Sequence, residues 1–563
     1  MPSLPLLVVL LGLLAHAAAT SSPLNLLPQP THSSIGNTTT CLDPGFSISF
    51  SAHAPADLRA AATRATRAIR ASKMRYLSPT YGAEFFPATG GCTHWVKSLT
   101  VAVSDAAPIA AHATRKAEAR VEGYNLTLPT DGEAQIAADT ALGAFRGLTS
   151  FQNLWYRHNN DIYAPFAPYS IADSPQFPWR SLLLDTSRNF FDPATLRDML
   201  DAMARVKLSV FHWHLTDSQS WPLRLNAMPE LADKGAYEPS KVYSEADVRQ
   251  ITAYANARGI DVVLEIDTPG HTASLWYSHP ELIACHAASP WGDYANEPPA
   301  GQLRFADPNV TAWTAQLFTN VIPLTSSAYF GTGGDELNVN CMMSDAATNA
   351  TLAAKNITLQ EALAQFTQGT HKTLLEHKRS PMVWEEMVLD HGDLGLSNDT
   401  VVDVWISSAN TSAVADKGYK LVHASSDYFY LDCGRGEWIN QDGGANSWCD
   451  PFKNWQLMYS FDPYNNITDA QRALVLGGQA SLWAEQADAS NYETVLWPRA
   501  AALAELFWTG SANTGNASFP RSALDALPRM HDARFRLLDA GVASTPLAPE
   551  WCALRPGACD LTS

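Results

Sequence analysis

Two adjacent acids, Asp335 and Glu336, end the string Thr332-Gly333-Gly334-Asp335-Glu336, which follows the apolar run Ala328-Tyr329-Phe330. Cleavage of a sugar acetal needs an acid to protonate the departing oxygen and a second negative group near the positive charge that develops. If both residues continue the strand that the apolar run predicts, their side chains leave on opposite faces. They then cannot easily flank one bond as acid and nucleophile. Either one of them is structural, or the nucleophile comes from elsewhere, the substrate included. A glycine-rich turn with two solvated acids would be spelled the same way, so the pair takes its meaning from the rest of the chain.

From residue 175 onward, short β-branched and apolar runs recur with helical stretches between them, at 181–184, 208–213, 260–266, 328–332, 382–384, 401–405, 421–423 and 476–483. Eight strands alternating with helices predict an α/β fold, a (β/α)8 TIM barrel whose functional residues gather at the C-terminal strand ends. Those ends carry Arg188, His214, Asp217, Asp267, His271, the Asp335-Glu336 pair, Trp384-Glu385-Glu386, Trp405, Tyr430, Asp432, Trp483 and Glu485. Such a ring suits a pyranose, whose carbon face stacks on indole and whose hydroxyls bind carboxylate and guanidinium. His212 and His214 stand two apart on one strand without a third ligand at zinc spacing. They read as core packing, with His214 touching the pocket, and no metal or other cofactor is predicted. Glu385 and Glu386 read as loop acids, and Arg499 as a structural ion-pair partner.

Ahead of the barrel, residues 41–174 read as a small α/β domain. Its strands are at 46–50 and 98–103, and its helices near 57–73 and 134–154. A Pro-rich stretch at 165–178 marks the boundary, and the barrel with its C-terminal tail fills 175–563. Residues 20–40, rich in Ser, Thr and Pro, read as a linker or pro-segment.

At 563 residues, 46% apolar and 17% charged, the chain is an ordinary globular protein of two or three domains. A net charge of −18 argues against nucleic acid and anionic membrane surfaces as partners. The apolar run 5–15 followed by Ala17-Ala18-Ala19 predicts a secretory signal over 1–19, although no Lys or Arg precedes it. No later segment is apolar for the roughly 18 residues a membrane span needs. The eight cysteines form no Cys-x-x-Cys pair, so disulfides are expected. Nearest neighbours would pair as Cys41–Cys92, Cys285–Cys341, Cys433–Cys449 and Cys552–Cys559. Glycosylation sequons at Asn37, Asn125, Asn309, Asn349, Asn356, Asn398, Asn410, Asn466 and Asn516 fit the same compartment. Secretion is the expectation, with a vacuolar or lysosomal compartment as the alternative.

From about residue 125 to its end the chain resembles glycoside hydrolase family 20, the β-N-acetylhexosaminidases, most like the secreted enzymes of filamentous fungi. The resemblance is carried by Leu184-Asp185-Thr186-Ser187-Arg188, His212-Trp213-His214-Leu215-Thr216-Asp217, Asp267-Thr268-Pro269-Gly270-His271 and Gly333-Gly334-Asp335-Glu336. Trp483-Ala484-Glu485 and Trp497-Pro498-Arg499-Ala500 complete it, while Gly143-Ala144-Phe145-Arg146-Gly147-Leu148 resembles the end of that family's zincin-like N-terminal domain. Leu337 and Gln479 depart slightly from the pattern.

The resemblance implies that the substrate's 2-acetamido oxygen attacks its own anomeric carbon, giving an oxazolinium intermediate and net retention. Glu336 would be the general acid, later the base, with its pKa raised by enclosure. Asp335 would orient the acetamido N–H, Tyr430 would donate to the acetamido oxygen, and Asp217 with His271 would relay charge toward Glu336. Arg188, Asp432 and Glu485 would hold the hydroxyls, and Trp384, Trp405 and Trp483 would wall the sugar. Expected substrates are terminal β-linked GlcNAc or GalNAc on chitooligosaccharides and glycans; a homodimer is a family expectation. Two rivals stay open: a hydrolase restricted to one linkage, such as lacto-N-biose release, and a carbohydrate-binding protein without turnover.

Overall fold

The alternating segment Phe46-Ser47-Ile48-Ser49-Phe50 is the end of a much longer strand, His32–Phe50. The structure is a computed structural model and describes residues 24–51, 54–77, 91–439, 446–510, 522–555 and 558–561. The predicted signal segment and Asn516 lie outside these residues. The long strand corrects the reading of 20–40 as a linker, as far as the described residues reach. Leu24, Leu26 and Leu27 are buried, and the polar residues 32–40 pair antiparallel with the strand Asp161–Asp173. Backbone hydrogen bonds to a partner far along the chain override the weak strand propensity of Ser and Thr-rich sequence.

Six strands make the N-terminal sheet. His32–Phe50 is followed by Trp95–Val103, Gly132–Ala138, Tyr124–Leu128, Asp161–Asp173 and Tyr156–His158, in that spatial order, and the first strand also pairs with the fifth. Helices Ala56–Ala71 and Ala141–Asn153 cover it, with Phe46 stacked on Phe151 at 5.9 Å. Two expectations fail here. The start of the helix expected over 134–154, residues 134–138, is strand, because Gly132–Ala138 alternates exposed and buried residues, a period-2 pattern that helical propensity alone hides. The Pro-rich stretch begins inside a strand rather than at a boundary. Pro165 and Pro168 fall where the register with the first strand shifts, between Thr40↔Ala164, Thr38↔Ala167 and Ile35↔Tyr169, and such irregular positions need no ladder N–H.

After Asp173 the chain enters a closed parallel barrel of eight strands. They are Trp179–Asp185, Val210–Thr216, Asp261–Ile266, Tyr329–Gly333, Ser380–Trp384, Val401–Val404, Lys420–His423 and Val475–Leu482, each overlapping its predicted run. Their burial on both faces explains the near-continuous apolar sequence. One residue from each strand packs into an apolar plug near the strand starts: Trp179, Val210, Val263, Tyr329, Met382, Val401, Val422 and Leu476.

Buried ion pairs tie the sheet domain to the barrel. Glu122 accepts from Arg146 Nε at 2.8 Å and from Arg180 Nη2 at 2.7 Å. Asp173 receives Lys207 Nζ at 3.0 Å and Trp508 Nε1 at 2.9 Å. The four nearest-neighbour disulfides are all formed. Among the described residues, no helix is long and apolar enough to cross a membrane.

Candidate active site

The fourth barrel strand stops at Gly333 because the next residues leave extended geometry. Gly333, Gly334 and Glu336 have φ of 66°, 96° and 54°. A Cβ on Gly333 would lie 1.8 Å from Asp267 Oδ1, and one on Gly334 would lie 2.6 Å from Met387, so both positions require glycine. The carboxylate of Asp267 accepts from the Gly334 N–H at 3.0 Å and pins the turn. Consequently the opposite-faces argument for Asp335 and Glu336 does not apply. Both acids line one cavity of about 380 Å³ and face one nitrogen, His271 Nε2, at 3.6 and 3.3 Å respectively.

Behind His271 lies the predicted relay. Its Nδ1 is 3.1 Å from Asp217 Oδ1, and Asp217 Oδ2 lies 2.9 Å from Arg188. Burial disfavours charge on His271, but Asp217 and Asp335 outweigh it and raise its pKa well above the usual value. Burial alone would likewise lift Glu336; the hydrogen bond and charge of His271 reverse this and hold it below the ordinary carboxylate value. That corrects the expectation of a Glu336 raised by enclosure. The raised carboxyl is Asp335, pushed well up by burial and by the neighbouring Asp267.

Trp405, Tyr430 and Trp483 form the apolar wall of the cavity. Trp405 stacks on Tyr430 at 6.1 Å, and Tyr430 sits 6.2 Å from Trp483. Trp384 is 1% exposed and does not line the cavity. It stands behind the wall, 5.9 Å from Trp483 and 6.4 Å from Trp405. Arg188, Asp432 and Glu485 also line the cavity. Arg188 bonds Asp185 as well as the cavity's Glu297, at 3.4 and 2.6 Å. Burial pushes Asp432 up to about 7.

Several contributors were not legible as such. Glu297 and Asn296 come from the long loop after the third strand, and Trp448 and Trp438 from the loop closed by Cys433–Cys449. Loop length and the adjacent cysteine were the signals present. Glu385 and Glu386 are not solvated loop acids: they accept from the Trp405 backbone N–H at 3.0 Å and from its indole at 2.8 Å, fixing that ring. Arg499 makes no ion pair among the described residues; it donates to the carbonyls of Leu431, Lys453 and Val495. His212 and His214 are not plain core packing either, since each binds Glu265. Asn410 donates its side-chain nitrogen to Glu385 at 2.6 Å, so that sequon's amide is already engaged. Asp267 brings ligand-type oxygens near His271 and Asp335, but these groups already hydrogen-bond or pair with one another.

The family model described as glycosyl hydrolase family 20, catalytic domain, matches residues 177–511, and a model described as beta-acetyl hexosaminidase like matches 26–154. The chain is a member of glycosyl hydrolase family 20. It is 37% identical over 458 residues to a beta-hexosaminidase of Arthroderma benhamiae, covering 78% of this chain and 74% of that protein. It is 32% identical to a chitooligosaccharidolytic beta-N-acetylglucosaminidase of Ostrinia furnacalis, covering 78% and 74%. The structure of Flavobacterium johnsoniae chitobiase superposes with a TM-score of 0.74 at 25% identity, over 92% of this chain and 73% of that one. This family 20 chain is a glycoside hydrolase with hexosaminidase activity.

Proposed function

We propose that this family 20 enzyme is exported and removes terminal, non-reducing β-linked GlcNAc or GalNAc from chitooligosaccharides and glycans, with the substrate's own 2-acetamido oxygen as nucleophile. The observation that carries the reading is the shared imidazole. Asp335 and Glu336 both approach His271 Nε2, so this pair does not place a nucleophilic carboxylate on the face opposite the acid. The name of the Ostrinia relative points to the same substrate class. Four disulfides support an oxidising compartment.

In this mechanism the acetamido oxygen bonds to the anomeric carbon as the glycosidic C–O bond breaks. Glu336 gives its proton to the departing oxygen. Positive charge developing on the acetamido nitrogen lies beside Asp335 and favours the ionised carboxyl that burial and Asp267 otherwise oppose. Tyr430 donates to the acetamido oxygen and holds it on line. Glu336 then takes a proton from water, which opens the oxazolinium ring with net retention.

Product analysis by NMR on chitobiose and a GalNAc glycoside tests this reading. The first-formed sugar is expected as the β-anomer. An α-anomer, or a covalent sugar ester on a side chain, would overturn it. Release of p-nitrophenol from its GlcNAc glycoside separates the enzyme from a disaccharide-only hydrolase and from a non-catalytic binder.

A further inference from the structure

Directly above the apolar plug, the centre of the barrel is ionic rather than hydrocarbon. Glu265 is 2% exposed and is clamped between two imidazoles, with Oε2 2.7 Å from His212 Nε2 and Oε1 2.6 Å from His214 Nδ1. The other nitrogen of His214 lies 2.8 Å from Asp217 Oδ2, the same carboxylate that holds His271. On the far side, His212 Nδ1 meets Gln479 Oε1 at 3.0 Å and Asp403 Oδ2 at 3.7 Å. The result is an unbroken alternation of carboxyl and imidazole groups: Asp403, His212, Glu265, His214, Asp217, His271, Glu336. Burying charges is costly unless each is paired, and an apolar barrel centre would stabilise the fold equally well. A buried chain of facing carboxyl and imidazole groups that ends on Glu336 therefore calls for a functional account.

We propose that Glu265 is a positioning residue for the hydrolytic reaction: by keeping His214 protonated it divides the charge of Asp217 between two imidazoles, and so sets how tightly His271 retains the proton shared with Glu336. This rests on the assignment of Glu336 as the acid.

The electrostatics agree with the geometry. Burial works against charge on His214, yet its bonds to Asp217 and Glu265 raise it to about 10. Burial would likewise push Glu265 up, but the two histidines drive it far down. Other charged groups also face the chain. Asp267, at the end of the third strand, is pushed up to about 6 by burial and by Glu265. Burial pushes Asp403, on the sixth strand, up to about 7. Arg188, from the loop after the first strand, turns Nη1 to both Asp217 and Asp185 and Nη2 to Glu297. Asp335 faces the chain at His271 and also meets the charge of Glu336. The indoles of Trp384 and Trp483 close the sides, on His212 and His214 respectively, and keep water from screening it.

The test combines a variant with a measurement on the wild type. In Glu265→Gln, His214 loses one of its two anionic partners and holds its proton less tightly. A larger share of the charge of Asp217 then falls on His271. The alkaline limb of kcat/KM is expected to move up by roughly one pH unit, with a lower plateau kcat, and Glu265→Asp is expected to fall between. A lower kcat with an unmoved limb would show a packing role and overturn the proposal. If the variant does not fold, wild-type enzyme with 13C-labelled histidine decides. The His214 ring signal is expected to stay in its protonated position from pH 5 to 8, and a titration between pH 6 and 7 overturns the proposal. Neither readout depends on the anomer of the product, so failure here and failure of the substrate-assisted reading are separable.

Discussion

His271 Nε2 lies 3.3 Å from the Glu336 carboxylate while its Nδ1 lies 3.1 Å from Asp217, so one imidazole joins the proposed acid to a fully buried anion. This arrangement keeps a proton within reach of Glu336 even though Glu336 itself is held below the usual carboxylate value. The pair, not the isolated glutamate, is the unit that titrates.

Glu336→Gln removes the proposed proton donor and keeps the shape. On a substrate with a poor leaving group, kcat is expected to fall by about 10²- to 10⁴-fold, with KM within a few-fold of wild type. Steady-state kinetics on chitobiose measure this. An unchanged kcat would remove Glu336 from the acid role.

In the proposed mechanism, Asp335→Asn keeps a hydrogen-bonding group beside the acetamido nitrogen but cannot balance its charge. Turnover is expected to fall by about 10²- to 10³-fold. A thiazoline mimic of the cyclic intermediate is expected to inhibit the wild type strongly and the variant weakly. Absence of wild-type inhibition at millimolar thiazoline would count against the acetamido oxygen as nucleophile.

Stability is expected to be greater at acid pH. Burial pushes Asp403, Asp432, Glu385 and Glu386 up to about 7. Between about pH 4 and 7 the folded protein therefore holds protons that the unfolded chain has released, and stability falls as pH rises through that window. His214, raised to about 10 despite its burial, contributes fully below its unfolded value of 6.5, and that contribution is lost as pH rises toward 10. Asp217 opposes this at the acid end: its burial is outweighed by Arg188 and His271, which hold it well below the usual value, so its contribution is lost once pH falls beneath the ordinary aspartate range. Thermal unfolding is expected to show Tm higher at pH 5 than at pH 8 by roughly 5 °C. A higher Tm at pH 8 would refute the assignment.

Glu122→Gln leaves the buried guanidinium groups of Arg146 and Arg180 without their common counter-ion. Removing one partner of a buried pair costs about 3–5 kcal/mol. The urea midpoint should fall accordingly, with hexosaminidase activity of the folded fraction retained. An unchanged midpoint would show that the two arginines find other partners.

The eight barrel strands were legible because strands buried on both faces are written as short apolar runs, and the polar strand ends were legible because the fold places function there. The sheet domain was less so. The strand over 32–40 has polar sequence, and its partner Asp161–Asp173 lies more than a hundred residues away and carries two prolines, so no local window holds the pattern. Glu386, read as a loop acid, is instead the acceptor for the Trp405 indole.

By themselves, the residues of this chain determined which chemical groups stand at the strand ends, and through the resemblance they carry, which reaction those groups suit. Tertiary structure alone decided that Asp335 and Glu336 share a cavity, that Trp384 stands behind the wall it was expected to form, and that the proton favours Asp335 and His271 over Glu336. The physical reason is that covalent order sets identity and local periodicity. Backbone reversal at Gly333, Gly334 and Glu336, and the charge each buried group meets from other strands, are set only when distant segments pack together.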